Sequence, residues 1–233
     1  IDPFSATTRP VKRTALGRFA HEDCRCSNPI PGQPLAFYMG DDATGEYIYK
    51  FVSEAVWDPK DVNGGYTAGD KYMDKGTLYV AKFNDDGTGE WLELTHGKNG
   101  LTAANEIYPF AGQDDIVINA RLAADHVGAT KMDRPEWVAV NPENGEVYVT
   151  LTNNSNRGRA YETDAANPRS YIDFKGSSAS NSGNMNGHII RFSEAKNTVT
   201  ATSFAWDIFL FGAEARAASN INLSGLDDLN DFS

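Results

Sequence analysis

Apolar residues in this chain recur mainly at every second position, in short runs that come in pairs around turn-forming clusters. Leu35-Ala-Phe-Tyr-Met39 leads into Gly40-Asp-Asp-Ala-Thr-Gly45, and Glu46-Tyr-Ile-Tyr-Lys-Phe-Val52 follows. Alternation of this kind, rich in aromatic and β-branched residues, predicts a β-hairpin. The pattern returns at Gly76-Thr-Leu-Tyr-Val-Ala-Lys-Phe83 with Glu90-Trp-Leu-Glu-Leu94, and at Glu136-Trp-Val-Ala-Val140 with Glu146-Val-Tyr-Val-Thr-Leu-Thr152. In the latter, Asn144-Gly145 supplies the positive φ that tight hairpins need. A fourth pair runs from Gly187-His-Ile-Ile-Arg-Phe192 into 198–211. The main helical period spans about Asp114 to Asp125. Ile116, Ile118, Leu122 and Ala123 mark its apolar face, Asp114 or Asp115 is the expected cap, and Gly128 stands beyond its end. Residues 57–75 and 155–186 show no clear element; the second stretch reads as a polar surface excursion or a loop organised by ligand.

Hairpins spaced by roughly 45 to 60 residues suggest the blades of a β-propeller, with a β-sandwich as the alternative. The expected fold is all-β: a partial propeller of roughly three to four blades with one short helix. Its open edges invite self-association. Residues 1–10 read as an appended remnant or linker ahead of one domain over 11–233, and both ends read as cuts through a longer protein.

Charge narrows the function classes. The 233 residues carry 32 Asp and Glu against 21 Lys and Arg, a formal net charge of −11. That field disfavours nucleic acid and anionic membranes, and it repels phosphate esters unless bound cations reverse the sign locally. No run approaches the roughly 18 apolar residues of a membrane span. Cys24 and Cys26 sit at strand spacing, where their geometry is at the limit for a disulfide, and read as free thiols. His21, His96, His126 and His188 form no metal-binding spacing.

The densest chemistry lies in Met132-Asp-Arg-Pro-Glu-Trp137. Arg134 and Glu136 are two residues apart and share a face in extended chain, and Pro135 is expected to bias Arg134 toward extended geometry. An anion-binding fork would then stand beside a hard oxygen ligand, which suits phosphate held against a metal ion. The competing reading is a structural ion pair between the two.

Together with Lys12-Arg-Thr-Ala-Leu-Gly-Arg-Phe-Ala-His-Glu22, Tyr38-Met-Gly-Asp-Asp42, Arg121-Leu-Ala-Ala-Asp125 and Gly187-His-Ile-Ile-Arg191, these strings resemble the PhoX family of secreted bacterial alkaline phosphatases. The resemblance implies a six-bladed propeller, hydrolysis of phosphate monoesters, Fe3+ and Ca2+ in a central site, and a secreted or periplasmic location. It implies Glu22 and Glu136 as carboxylates on iron, Asp41 as a calcium ligand, and Arg134 as the catalytic guanidinium that grips phosphate. Asp42, Glu46 and Asp125 are weaker metal-site candidates. It also implies that a bridging cysteine and further ligands belong to segments outside residues 1–233, so the chain alone is expected to hold part of a metal site. Two other readings stay open: a non-catalytic calcium-stabilised β module, and a calcium-dependent lactonase-like hydrolase.

Overall fold

The structure is a computed structural model and describes residues 6–175, 179–213 and 221. Nine strands pair antiparallel into one sheet: β1 (His21–Cys26), β2 (Pro34–Asp41), β3 (Ile48–Val56), β4 (Gly76–Phe83), β5 (Thr88–Glu93), β6 (Pro135–Val140), β7 (Val147–Leu151), β10 (His188–Glu194) and β11 (Ser203–Phe211). The order across the sheet is β1-β2-β3-β4-β5-β11-β10-β7-β6. β8 (Tyr171–Lys175) and β9 (Ala179–Gly183) form a separate two-stranded ribbon. All four expected hairpins are present.

The sheet nearly closes on itself. Its terminal strands meet where the Val138 N–H donates to Asp23 Oδ2 at 3.1 Å and Arg25 Nε donates to the Val138 carbonyl at 3.3 Å. At the other junction, Ser203, Phe204 and Ala205 of β11 pair with Glu90, Gly89 and Thr88 of β5. The result is barrel-like and all-β. Because the pairing is continuous, it does not itself mark blade boundaries.

Alternation sends each strand's side chains into two cores. Leu35, Phe37 and Met39 of β2, with Tyr49 and Phe51 of β3, face a core closed by helices. Ala36 and Tyr38 face a second core shared with Val138, Val147, Val149, Leu151, Ile190 and Phe192. β2 is therefore buried on both faces. Lys50 points into the second core, fully buried, and donates to Glu194 Oε1 at 2.9 Å and to the Ala201 and Val199 carbonyls at 2.8 and 3.3 Å. Tyr38 and Trp91 also donate to Glu194, so both oxygens of this buried carboxylate are occupied.

Three expectations need correction. The described residues hold three α-helices, not one: α1 (Gly65–Met73), α2 (Gln113–Ile118) and α3 (Ala120–Val127), besides three single-turn 3-10 helices. α1 lies in a stretch that carries no clear helical period, and its glycines weaken the local signal. It is held by burial of Tyr72 and by Arg13, which pairs with Asp70 and Asp74 at 2.6 and 2.8 Å. The expected single helix is broken at Asn119 (φ −106°, ψ 42°), and its N-cap is Gly112, with Asp115 reaching back to the Ala111 N–H at 2.9 Å. Gly128 ends it with φ +76°, as anticipated. The third correction concerns 155–186. Many of its described residues are exposed, as expected of a surface excursion, but Arg157, Asn167 and Asn184 turn inward and join a buried polar network.

Candidate functional site

Three element ends converge at one rim of the sheet: the start of β1, the end of β2 and the start of β6. Gly40 makes the approach possible. A Cβ there would sit 2.5 Å from the Glu136 carbonyl oxygen and 2.7 Å from that of Pro135, so only hydrogen lets β2 and β6 come this close. The β2–β3 turn is tied to the same place, because the Gly45 N–H donates to the Met132 carbonyl and the Met132 N–H to the Glu46 carbonyl, at 3.0 and 2.9 Å.

The first cluster centres on Arg134. Its Nε donates to Asp42 Oδ1 at 3.1 Å, and Nη2 lies 3.0 Å from the same oxygen. Nη2 is also 3.3 Å from Glu136 Oε1, and Nη1 donates to Asn153 Oδ1 at 3.1 Å. Glu136 accepts in addition from Thr152 Oγ1 at 2.5 Å. Burial, and then the facing Asp42 and Glu22 carboxylates, hold the Glu136 carboxyl above its usual range against the opposing pull of Thr152 and Arg134. Glu22 is exposed and lies in the bulge of β1. The ion pair between Arg134 and Glu136, the competing reading, is thus present, but the extended backbone expected to bring them to one face is not. Arg134 has φ +35°, left-handed and not extended.

The second cluster adjoins it. Asp41 is fully buried and accepts from Arg121 Nε at 2.8 Å, Arg121 Nη2 at 2.5 Å and the Ala20 N–H at 3.0 Å. Glu46 Oε2 is 3.4 Å from Arg121 Nε, and burial raises its carboxyl above the usual range. Asp125, one of the three weaker sequence candidates, is bound by Tyr47 Oη and Lys131 Nζ, each at 2.5 Å. Arg121, Thr152 and Asn153 were missed as site residues. Arg121 could have been found, since it is four positions from Asp125 on a helix and shares its face.

All seven sequence candidates therefore lie in two adjoining clusters, yet each acid except Glu22 has a hydrogen-bond donor or cation from the protein. Among the described residues, no group of three or more His, Cys, Asp and Glu is arranged to hold a metal ion. The oxygen donors suit a hard cation such as Ca2+ or Fe3+, but as grouped here they do not complete a site. His188 is no ligand either. Its Nδ1 accepts from the Asn184 amide at 3.0 Å and its Nε2–H donates to the Ala166 carbonyl at 2.8 Å, while full burial lowers its pKa. Cys24 is exposed and Cys26 half-buried; both are free thiols, and partial desolvation by the surrounding protein raises both to about 11.

The family model for the alkaline phosphatase PhoX matches residues 1–233. The chain belongs to the PhoX family. A solved structure, Pseudomonas fluorescens PhoX in complex with vanadate, a transition state analogue, is 40% identical to this PhoX-family chain with a TM-score of 0.83. The match covers 99% of this chain and 38% of that one, so the chain spans well under half the length of its solved relative. No curated protein matches it.

Proposed function

We propose that this chain contributes the phosphate grip of a phosphate-ester hydrolase. The carrying observation is Arg134, a half-buried guanidinium fixed by Asp42, Glu136 and Asn153 at the rim where β1, β2 and β6 converge. A planar fork offers paired donors to the equatorial oxygens of a phosphoryl group, where lysine would offer only a point charge. The vanadate bound by the P. fluorescens relative supports a phosphate ester as substrate class.

The surrounding acids set the condition for binding. Asp42 and Glu136 already occupy Arg134, and Glu22 adds a third negative charge nearby. An incoming phosphate must displace them or be accompanied by cations that offset them. Ca2+ and Fe3+, expected from the family, would find hard oxygen donors in Glu22, Glu136 and Asp41, with further ligands required beyond the described residues. When bound, such ions would supply Lewis-acid polarisation of the phosphoryl oxygens. We further read the two core-facing layers of the sheet as adjoining blades of a propeller, and the protein as secreted or periplasmic, in keeping with the family.

The test is titration of inorganic phosphate and vanadate into the chain by calorimetry, with and without Ca2+ and Fe3+. Binding should appear or strengthen with the cations, and Arg134→Ala should weaken it by about 10- to 100-fold, the equivalent of about 1.4–3 kcal/mol. Equal affinity in the wild type and the Arg134→Ala variant would exclude Arg134 as the grip.

A further inference from the structure

A side-chain-bearing residue at φ +35° is held there at a cost, and such backbone persists only where the surroundings over-determine it. The surroundings of Arg134 do so from both sides. Behind it, Asp133 is fully buried and its carboxylate accepts from Arg157 Nε at 2.7 Å, Asn154 Nδ2 at 2.6 Å and Asn184 Nδ2 at 3.1 Å. The Asp133 N–H donates to Asn167 Oδ1 at 3.0 Å. Arg157 cannot swing away, because Nη1 and Nη2 donate to the Glu162 and Lys131 carbonyls at 2.6 and 2.9 Å. Ahead of it, Pro135 is buried, and the Arg134 carbonyl accepts from the Thr152 N–H at 3.1 Å. One segment works on all parts at once: Thr152 on the backbone, Asn153 on the guanidinium, Asn154 on Asp133. Asn154 is itself fastened by reciprocal backbone hydrogen bonds with Asn184 at 2.8 and 3.0 Å.

We propose that Asp133, Arg157 and Asn154 are positioning residues that lock Arg134 in its left-handed conformation and so aim its guanidinium into the anion site. The inference rests on Arg134 being the phosphate grip. A network that only satisfied buried polar groups would stabilise the fold without regard to the backbone of residue 134.

Denaturation of the full 233-residue chain separates the two. Glycine tolerates positive φ and alanine does not, so R134G should unfold with an equilibrium constant about fivefold smaller than R134A. Adding N154A, or R157K, which keeps the charge but loses the fork, should free the backbone and bring that ratio toward one. A ratio of one at the outset, or a ratio unchanged by both N154A and R157K, would overturn the proposal. Phosphate affinity, measured with inorganic phosphate and Ca2+, should fall about tenfold in N154A although Asn154 makes no hydrogen bond to the guanidinium; unchanged affinity also overturns it. If the wild-type chain binds no phosphate under any metal condition, the grip reading fails, and the R134G-to-R134A ratio still decides the positioning claim.

Discussion

Glu136 lies against the Asp42 and Glu22 carboxylates, with Arg134 and Thr152 as its only hydrogen-bonding relief among the described residues. Its folded pKa is raised, so the folded state holds the proton more tightly than the unfolded chain does. Stability from this group is then present below the usual carboxylate range and is lost as the pH rises through the raised value. Glu136→Gln keeps the shape and removes the charge. At neutral pH this variant should melt at a higher temperature than the wild type, and the difference should close on acidification through the Glu136 range. Thermal melts across pH 4 to 8 check this; a variant less stable at every pH would show that the ionised form is favoured after all. Residues serving a binding site commonly carry such a cost.

At the scale of elements, the site exists because β2 and β6 approach at Gly40. Gly40→Ala places a Cβ against two backbone carbonyls, which cannot rotate aside as a side chain could. β6 must shift, at an expected cost of about 1–3 kcal/mol, read as a lower denaturation midpoint. The Asp42–Arg134 pair should loosen with it. At Gly32 an added Cβ meets nothing within 4 Å, so the cost of Gly32→Ala comes from its φ of +79° alone and no strand has to shift. The hairpins themselves were legible in the sequence, since a period of two records which face each residue takes. Helix α1 was not legible: Gly64, Gly65 and Gly69 dilute its pattern, and its cohesion comes from Arg13 and the Tyr72 contacts, distant in the chain.

Across the whole molecule, Lys50 and Glu194 link β3 to β10 through the interior of the sheet. Their side chains are 0% and 5% exposed, so solvent screens the pair little. Burial lowers the Lys50 pKa to about 8, with Glu194 opposing, and burial raises the Glu194 carboxyl. A lysine depressed below its unfolded value makes the fold more stable as the pH rises from about 8 toward 10.5. Lys50→Met leaves Glu194 buried without its cation and should cost about 3–5 kcal/mol, whereas the double variant Lys50→Met/Glu194→Met should recover most of that loss. Urea unfolding of the single and double variants measures both. A double variant as unstable as the single one would mean the pair is needed for more than mutual neutralisation.

Strand, turn and hairpin are local properties, set by side-chain alternation and by the φ that glycine and asparagine allow, and the linear sequence contains them. The closeness of Arg134 to Glu136 follows from their two-residue spacing, but not by the expected route, since Arg134 precedes the strand with φ +35°. Distant partners were not readable. Asp42 and Arg134 are 92 residues apart, and Arg121 reaches Asp41 across 80. Those meetings depend on which strand edges close the sheet. The asparagine-rich stretch before β10 reads as solvent-loving by composition, and much of what is described is exposed, but Arg157, Asn167 and Asn184 are buried because Asp133 and the Lys131 carbonyl offer partners that replace water. Composition records the preference of a side chain for polar company; only the closed sheet decides whether that company is water or protein.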